Sequence, residues 1–198
     1  MAIKLVVGLQ NPGASYERTR HNAGGWFARA LAEHLGATFR LHKTFHGEFA
    51  SADLNGQPFY ILLPNTWMNQ SGRSVRALSQ FYRIEPEAIL VAHDELDLPI
   101  GEARLKTGGG HGGHNGLRDL IAHAGGANFH RLRLGIGHPG HKDLVHDYVL
   151  GKPSVDDRQK MNRAIDRAID VMPDVILAQF SAAKTTLHTK QAIEKKEE

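Results

Sequence analysis

Six of the nine residues from Gly108 to Gly116 are glycine, in the order Gly-Gly-Gly-His-Gly-Gly-His-Asn-Gly. A stretch so poor in side chains can neither fill a core nor hold a regular helix or strand, and it tolerates backbone angles closed to other residues. It therefore fixes what must surround it. A strand expected at Ala103–Lys106 feeds it, and an amphipathic helix leaves it, because Leu117, Leu120, Ile121 and Ala124 recur at helical spacing. Asn115 is the expected N-cap of that helix. A glycine loop opening onto a helix N-terminus, and carrying His111, His114 and Asn115, suits a polar or anionic ligand brought against bare main chain.

The same alternation of strand, loop and helix runs along the chain. Ile3–Leu9 reads as a buried strand that ends in the turn Asn11-Pro12-Gly13. A polar loop through Tyr16, Arg18, Arg20, His21 and Asn22 leads to a helix expected at Gly25–Leu35, the opening of an α/β domain. Glu48–Leu54 and Pro58–Leu63 read as strands joined by Asn55-Gly56, a two-residue hairpin signal. After Pro64–Gly72 a helix is expected to Tyr82, with Val75, Leu78 and Phe81 inward, and then a strand at Ala88–Ala92. The strand's end carries the carboxylates of Asp94, Glu95 and Asp97, and Arg131–Gly137 alternates as a further strand. Ser154 starts a helix that Pro173 breaks, a last helix covers Asp174–Leu187, and Lys190–Glu198 reads as a charged, frayed tail. The expectation is a single domain over residues 1–189, with the tail at 190–198.

Composition narrows the function. The 198 residues include no cysteine, which excludes thiol nucleophiles, thiolate metal sites and disulfides and points to the cytoplasm. No apolar run reaches the roughly 18 residues of a membrane span, and the N-terminus lacks the apolar stretch of a secretory signal. A net charge of +3 is too small to announce a nucleic-acid binder, so any basic patch must come from placement.

Several chemistries can be weighed on the motifs. Gly108, Gly110 and Gly113 have the spacing of a dinucleotide fingerprint, but Arg133 stands in the region where the ribose-binding acid belongs. Neither a P-loop nor a G-x-S-x-G elbow occurs. His111 with His114, or His138 with His141, could each offer two metal ligands and Asp94 or Asp97 a third, although no helix fixes their geometry. Metal-free acid–base chemistry has its parts in His21, His114 and Asp94, with the amides of Asn11, Asn69 and Asn115 to hold a carbonyl or oxyanion.

Seven segments, taken together and in order, resemble the bacterial peptidyl-tRNA hydrolases. They are Val7–Gly13, Thr19–Gly24, Asn65–Gly72, His93–Pro99, Gly108–Asp119, Phe129–Gly140 and Val149–Pro153. The resemblance implies a monomeric, cytoplasmic α/β hydrolase, one domain with a mixed twisted β-sheet flanked by helices, using neither metal nor cofactor. It would release tRNA from prematurely dropped peptidyl-tRNA by cleaving the ester at the tRNA 3′ ribose, a ribosome-rescue role in translation. By motif position His21 is the general base, and Asp94 holds its working tautomer. Asn11 distinguishes a blocked α-amino group from a free one, and Asn69 and Asn115 position the substrate's 3′ end. Tyr16, Trp67, Met68, Gly112 and His114 line the substrate site, and Lys106 and Arg133 clamp the tRNA 5′ phosphate. Two residues depart from the family pattern: Gln10 stands in place of a small residue, and Trp67 in place of Phe or Tyr. The basic residues Arg18, Arg20, Arg73, Arg76, Arg104, Lys106, Arg118, Arg131 and Arg133 cluster in the matching part, where they could meet a phosphate backbone.

Overall fold

In the computed structural model, which describes residues 1–197, the six expected strands and an unforeseen short one at Arg40–His42 form one mixed sheet of seven. They are β1 (Leu5–Gly8), β2 (Arg40–His42), β3 (Gly47–Leu54), β4 (Gln57–Pro64), β5 (Ile89–Glu95), β6 (Ala103–Thr107) and β7 (His130–Gly135), in the order β2-β3-β4-β1-β5-β7-β6. The central strands β4, β1, β5 and β7 run parallel, and the two ends of the sheet are closed by antiparallel strands. The chain leaves β1 toward β4 on one side and β5 on the other. The carboxyl end of β1, where Gln10–Gly13 follow, is thus a switch point of the kind that opens a ligand crevice. The hairpin between β3 and β4 turns at Asn55 (φ 55°) and Gly56 (φ 79°), the pair of positive angles such a tight turn requires.

The helices are α1 (Ala23–His34), α2 (Ser71–Tyr82), α3 (Asn115–His123), α4 (Val145–Val149), α5 (Val155–Asp170), α6 (Met172–Ile176) and α7 (Phe180–Glu197). Successive strand residues point to opposite faces, so β1 serves two cores. Val6 packs with Phe27, Leu31, Leu90, Leu132 and Ile165 under α1 and α5, while Leu5 and Val7 pack with Val75, Leu78, Val91, Leu117 and Leu120 under α2 and α3.

Four expectations change. The first helix begins at Ala23 rather than Gly25, preceded by a tight 3-10 turn, Arg20–Asn22. Phe81 is 67% exposed, because the inward row of α2 is Val75, Leu78 and then Tyr82, whose ring stacks on Tyr60 at 4.2 Å. β5 runs past Ala92 to Glu95, so Asp94 sits on the strand. Finally, the stretch read as a frayed tail is helical through Glu197. Buried Gln191 there accepts from the amide of Ala103, Glu194 pairs with Arg167, and Lys195 pairs with Glu102. β6 is an edge strand, and α7 supplies an acceptor to its otherwise unpaired backbone.

Candidate active site

Two glycines bring the first strand's loop and the fifth strand's end together. Gly8 and Ala92 are neighbours across β1 and β5, and α1 crosses both with Gly24 lying on them. A Cβ on Gly24 would lie 2.1 Å from the Ala92 carbonyl oxygen, and one on Gly8 would lie 2.4 Å from the Gly24 oxygen. Backbone meets backbone at a separation only glycine allows. The Arg20–Asn22 turn at the head of α1 therefore sits over the carboxyl end of β5, and His21 meets Asp94. Its Nδ1 lies 2.9 Å from Oδ2 and 3.0 Å from Oδ1, with both side chains buried. A carboxylate only accepts, so Nδ1 carries the proton and Nε2 is left with its lone pair.

A second imidazole shares that carboxylate. His114 Nε2 lies 2.8 Å from Asp94 Oδ1, while its Nδ1 accepts from the amides of Gly116 at 3.1 Å and Leu117 at 3.3 Å. His114, and not Asn115, is the N-cap of α3, and Asn115 is the first helical residue. Because the cap demands a lone pair on Nδ1, the proton of His114 sits on Nε2 and is donated to Asp94. His114 was expected to meet substrate; both of its ring nitrogens are engaged within the protein, where they steady the carboxylate. A third ring, His93, packs edge-on against His114 at 5.2 Å and bonds the Asp94 carbonyl oxygen through Nδ1 at 2.8 Å.

The charges follow. Burial by itself would raise the pKa of Asp94, but attraction to His21 and His114 and their hydrogen bonds hold it well below the usual carboxylate range. Burial also works against a charged His21. The Asp94 carboxylate outweighs it, and the pKa of His21 is raised. Burial, reinforced by the neighbouring His114, pushes His93 down to about 4, which keeps it neutral.

Amides and aromatic rings surround this group. Asn11 is buried, its Oδ1 accepts from the Met68 amide at 2.7 Å, and its carboxamide nitrogen is the end left to a ligand. Asn22, which residue type alone does not mark as part of the site, both accepts from the Asn11 amide (2.8 Å) and donates to its carbonyl (2.9 Å) through its side chain. Its adjacency to His21 was the available signal. Met68 is buried against the first turn of α3, where a Cβ on Gly116 would come within 2.7 Å of its sulfur. Asn69, on the 3-10 turn Met68–Gln70, and Asn115, at the start of α3, are both exposed, with Asn115 accepting from Arg118 at 3.2 Å. Trp67 is 52% exposed and meets the Tyr16 ring edge-on at 5.6 Å. Gly112 lies in the exposed glycine loop at φ 56°, and the guanidinium of Arg131 ties that loop down through the carbonyls of Gly109 and Gly110.

The remaining candidates stand apart. Lys106 is exposed on β6 opposite Arg131, and Arg133 lies two residues along on the same face, bonded to Glu95 at 2.7 Å. Several of the clustered basic residues are committed inside the protein: Arg20 to the Tyr148 carbonyl and ring, Arg131 to the glycine loop, Arg104 to Glu102. His138 and His141 are exposed and each accepts from a nearby backbone amide. Among the described residues, the one group of three spaced to hold a metal ion is His21, Asp94 and His114, whose ligand atoms lie within 4.8 Å of one another.

Comparison with known proteins identifies the family of this chain. The family model described as peptidyl-tRNA hydrolase matches residues 5–196. A peptidyl-tRNA hydrolase of Legionella pneumophila (strain Lens) is 57% identical over 183 residues, 92% of this chain and 97% of the relative. One from Pseudomonas entomophila (strain L48) is 54% identical over 192 residues, 96% and 99% of the two chains. The crystal structure of peptidyl-tRNA hydrolase from Acinetobacter baumannii superposes with a TM-score of 0.91 at 51% identity, covering 93% of this chain and 94% of that one. With such identity over nearly its whole length, the chain belongs to the peptidyl-tRNA hydrolases, the esterases that act on peptidyl-tRNA.

Proposed function

We propose that the ester between the peptide and the tRNA 3′ ribose is cleaved by water activated at His21, without a metal ion. The observation that carries this reading is the direction of the proton on His21: Nδ1 faces Asp94 at 2.9 Å, so Nε2 is free to take a proton. Water adds to the ester carbonyl as Nε2 removes its proton, and Asp94 stabilises the imidazolium that results. When the tetrahedral intermediate collapses, the ribose oxygen leaves and recovers that proton, giving a peptide acid and free tRNA.

The surrounding residues take roles in keeping with their contacts. The Asn11 carboxamide nitrogen meets the first carbonyl of a blocked aminoacyl group, and Asn69 and Asn115 hold the scissile carbonyl and the 3′ end. Tyr16, Trp67 and Met68 line the site, with Gly112 giving the ligand access to bare backbone. Lys106 and Arg133 grip the 5′ phosphate as a point charge and a forked donor. In this reading the working unit is one chain acting in the cytoplasm, where its tRNA substrate is met.

The test is hydrolysis of N-acetyl-aminoacyl-tRNA by the purified protein. His21→Ala should lose about 10²–10⁴-fold in turnover with tRNA affinity nearly unchanged, and a variant as fast as the parent would remove His21 from the mechanism. The spacing of His21, Asp94 and His114 favours a metal-dependent hydrolase as the second reading. Activity abolished by EDTA and restored by a divalent ion would establish it, and full turnover in EDTA would dismiss it. For Asn11, the comparison is blocked against free aminoacyl-tRNA, and equal cleavage of the two would end its proposed role.

A further inference from the structure

A cavity of about 910 Å³ is lined neither by His21 nor by Asp94. It is a cleft bounded by the Gln10–Gly13 loop, the first turns of α1, the Glu48 and Asn65 side of the sheet, and the start of α5. Its volume is at the upper end of the roughly 300–1,000 Å³ of ligand sites. Asn11 lies in its wall, so the cleft begins where the catalytic group ends. In its wall the Arg158 guanidinium lies 3.4 Å from the centre of the buried Trp26 ring and covers it. Trp26 is fixed in turn by its Nε1–H, which donates to the Glu17 carbonyl at 2.7 Å. Arg18 and Lys152 add exposed positive charge beside Arg158, while Arg29 is paired with Glu48 at 3.3 Å.

We propose that this cleft holds the part of the peptide upstream of the residue esterified to tRNA, and that it favours acidic side chains there. The inference rests on the reading of Asn11 as the contact for the first peptide carbonyl. Chain direction supports it. Lys106 and Arg133 lie on β6 and β7, on one side of β1, whereas Asn65 follows the end of β4 and Glu48 lies on β3, on the other. With the ester held over the middle of the sheet and tRNA leaving toward β6, the peptide leaves the opposite way, past Asn11. Within the lining, Asn11 and Asn65 carry the amide groups that bond a peptide backbone. Arg18, Lys152 and Arg158 leave the cleft a positive excess that acidic side chains would meet.

The experiment compares three substrates on one tRNA, all esterified through alanine: acetyl-Ala, acetyl-Asp-Asp-Ala and acetyl-Lys-Lys-Ala. The parent is expected to favour the acidic peptide over the basic one, and the R18E/K152E variant, changed at two exposed positions, should shift that ratio by about tenfold the other way. The kcat/KM on acetyl-alanyl-tRNA reports the condition of the catalytic group in the same preparation. An unchanged acidic-to-basic ratio overturns the proposal. A variant that loses as much on acetyl-alanyl-tRNA as on the acidic peptide also overturns it, because the cleft would then be a tRNA contact. If the parent cleaved blocked and free alanyl-tRNA alike, the reading of Asn11 would fall first and the cleft with it.

Discussion

Asp94 accepts from two imidazoles whose protons are placed by different neighbours, and this division is the chemical centre of the molecule. His21 has one nitrogen on the carboxylate and one free, whereas His114 has one on the carboxylate and one on the α3 amides. Only His21 can exchange a proton with water while keeping its support. A base must be unprotonated to act, so activity should rise with pH through the raised pKa of His21, with a midpoint above 6.5. Asp94→Asn removes the charge that raises it, and the acid limb of the pH–rate profile should move down as the maximum rate falls. A limb that stays in place would show that some other group is titrating. His114→Ala should cost about 1 kcal/mol in stability from the lost cap, read from the denaturation midpoint, and should lower kcat by releasing Asp94.

At the scale of elements, catalysis depends on how closely α1 approaches β1 and β5. Gly24→Ala places a methyl group 2.1 Å from the Ala92 oxygen, a contact that backbone cannot yield without moving the helix. The expected cost is about 1–3 kcal/mol, seen as a lower urea midpoint, with a fall in kcat larger than the stability loss explains. Normal turnover in this variant would mean that the His21–Asp94 contact does not depend on that crossing. Gln191 makes a similar case at the other end of the chain. Gln191→Ala leaves the buried Ala103 amide unpaired, and should lower stability by about 1–3 kcal/mol with little effect on turnover.

For the whole molecule, three buried groups at the site each make stability depend on pH. His93, with a pKa pushed from 6.5 to about 4, binds its proton more readily in the unfolded chain. Stability should therefore fall as pH drops from 6.5 toward 4, and Asp94 continues the loss below 3.8, as pH falls through its depressed folded value. His21 acts oppositely: its contribution is complete below 6.5 and is lost as pH rises through its raised value. His93→Gln, which removes one titrating ring, should lessen the fall in melting temperature between pH 6.5 and 4, and an unchanged slope would exclude His93 as a source of it.

Local chemistry is legible in a linear chain, and much of this protein was. The hairpin at Asn55-Gly56 follows from two positive φ angles, the strands and helices from their apolar periods, and the glycine loop from its lack of side chains. The motif residues His21, Asp94 and Asn11 could be singled out because their residue types suit acid–base and amide chemistry. Pairing across the chain was not legible, since His21 and Asp94 lie 73 residues apart and their meeting depends on one helix crossing two strands at glycine. Competition among partners also had to wait for the fold. Asn115 had the better capping propensity, but the tertiary position of Asp94 drew His114 into the cap and fixed its tautomer. Charge alone misled for the last residues of the chain, because Lys190–Glu197 reads as solvated until an edge strand in need of an acceptor lies beside it. The sequence by itself determined which segments fold as they do and which side chains can act. The tertiary structure decided which of those side chains share a proton, because hydrogen bonds between distant residues exist only once packing has brought them within reach.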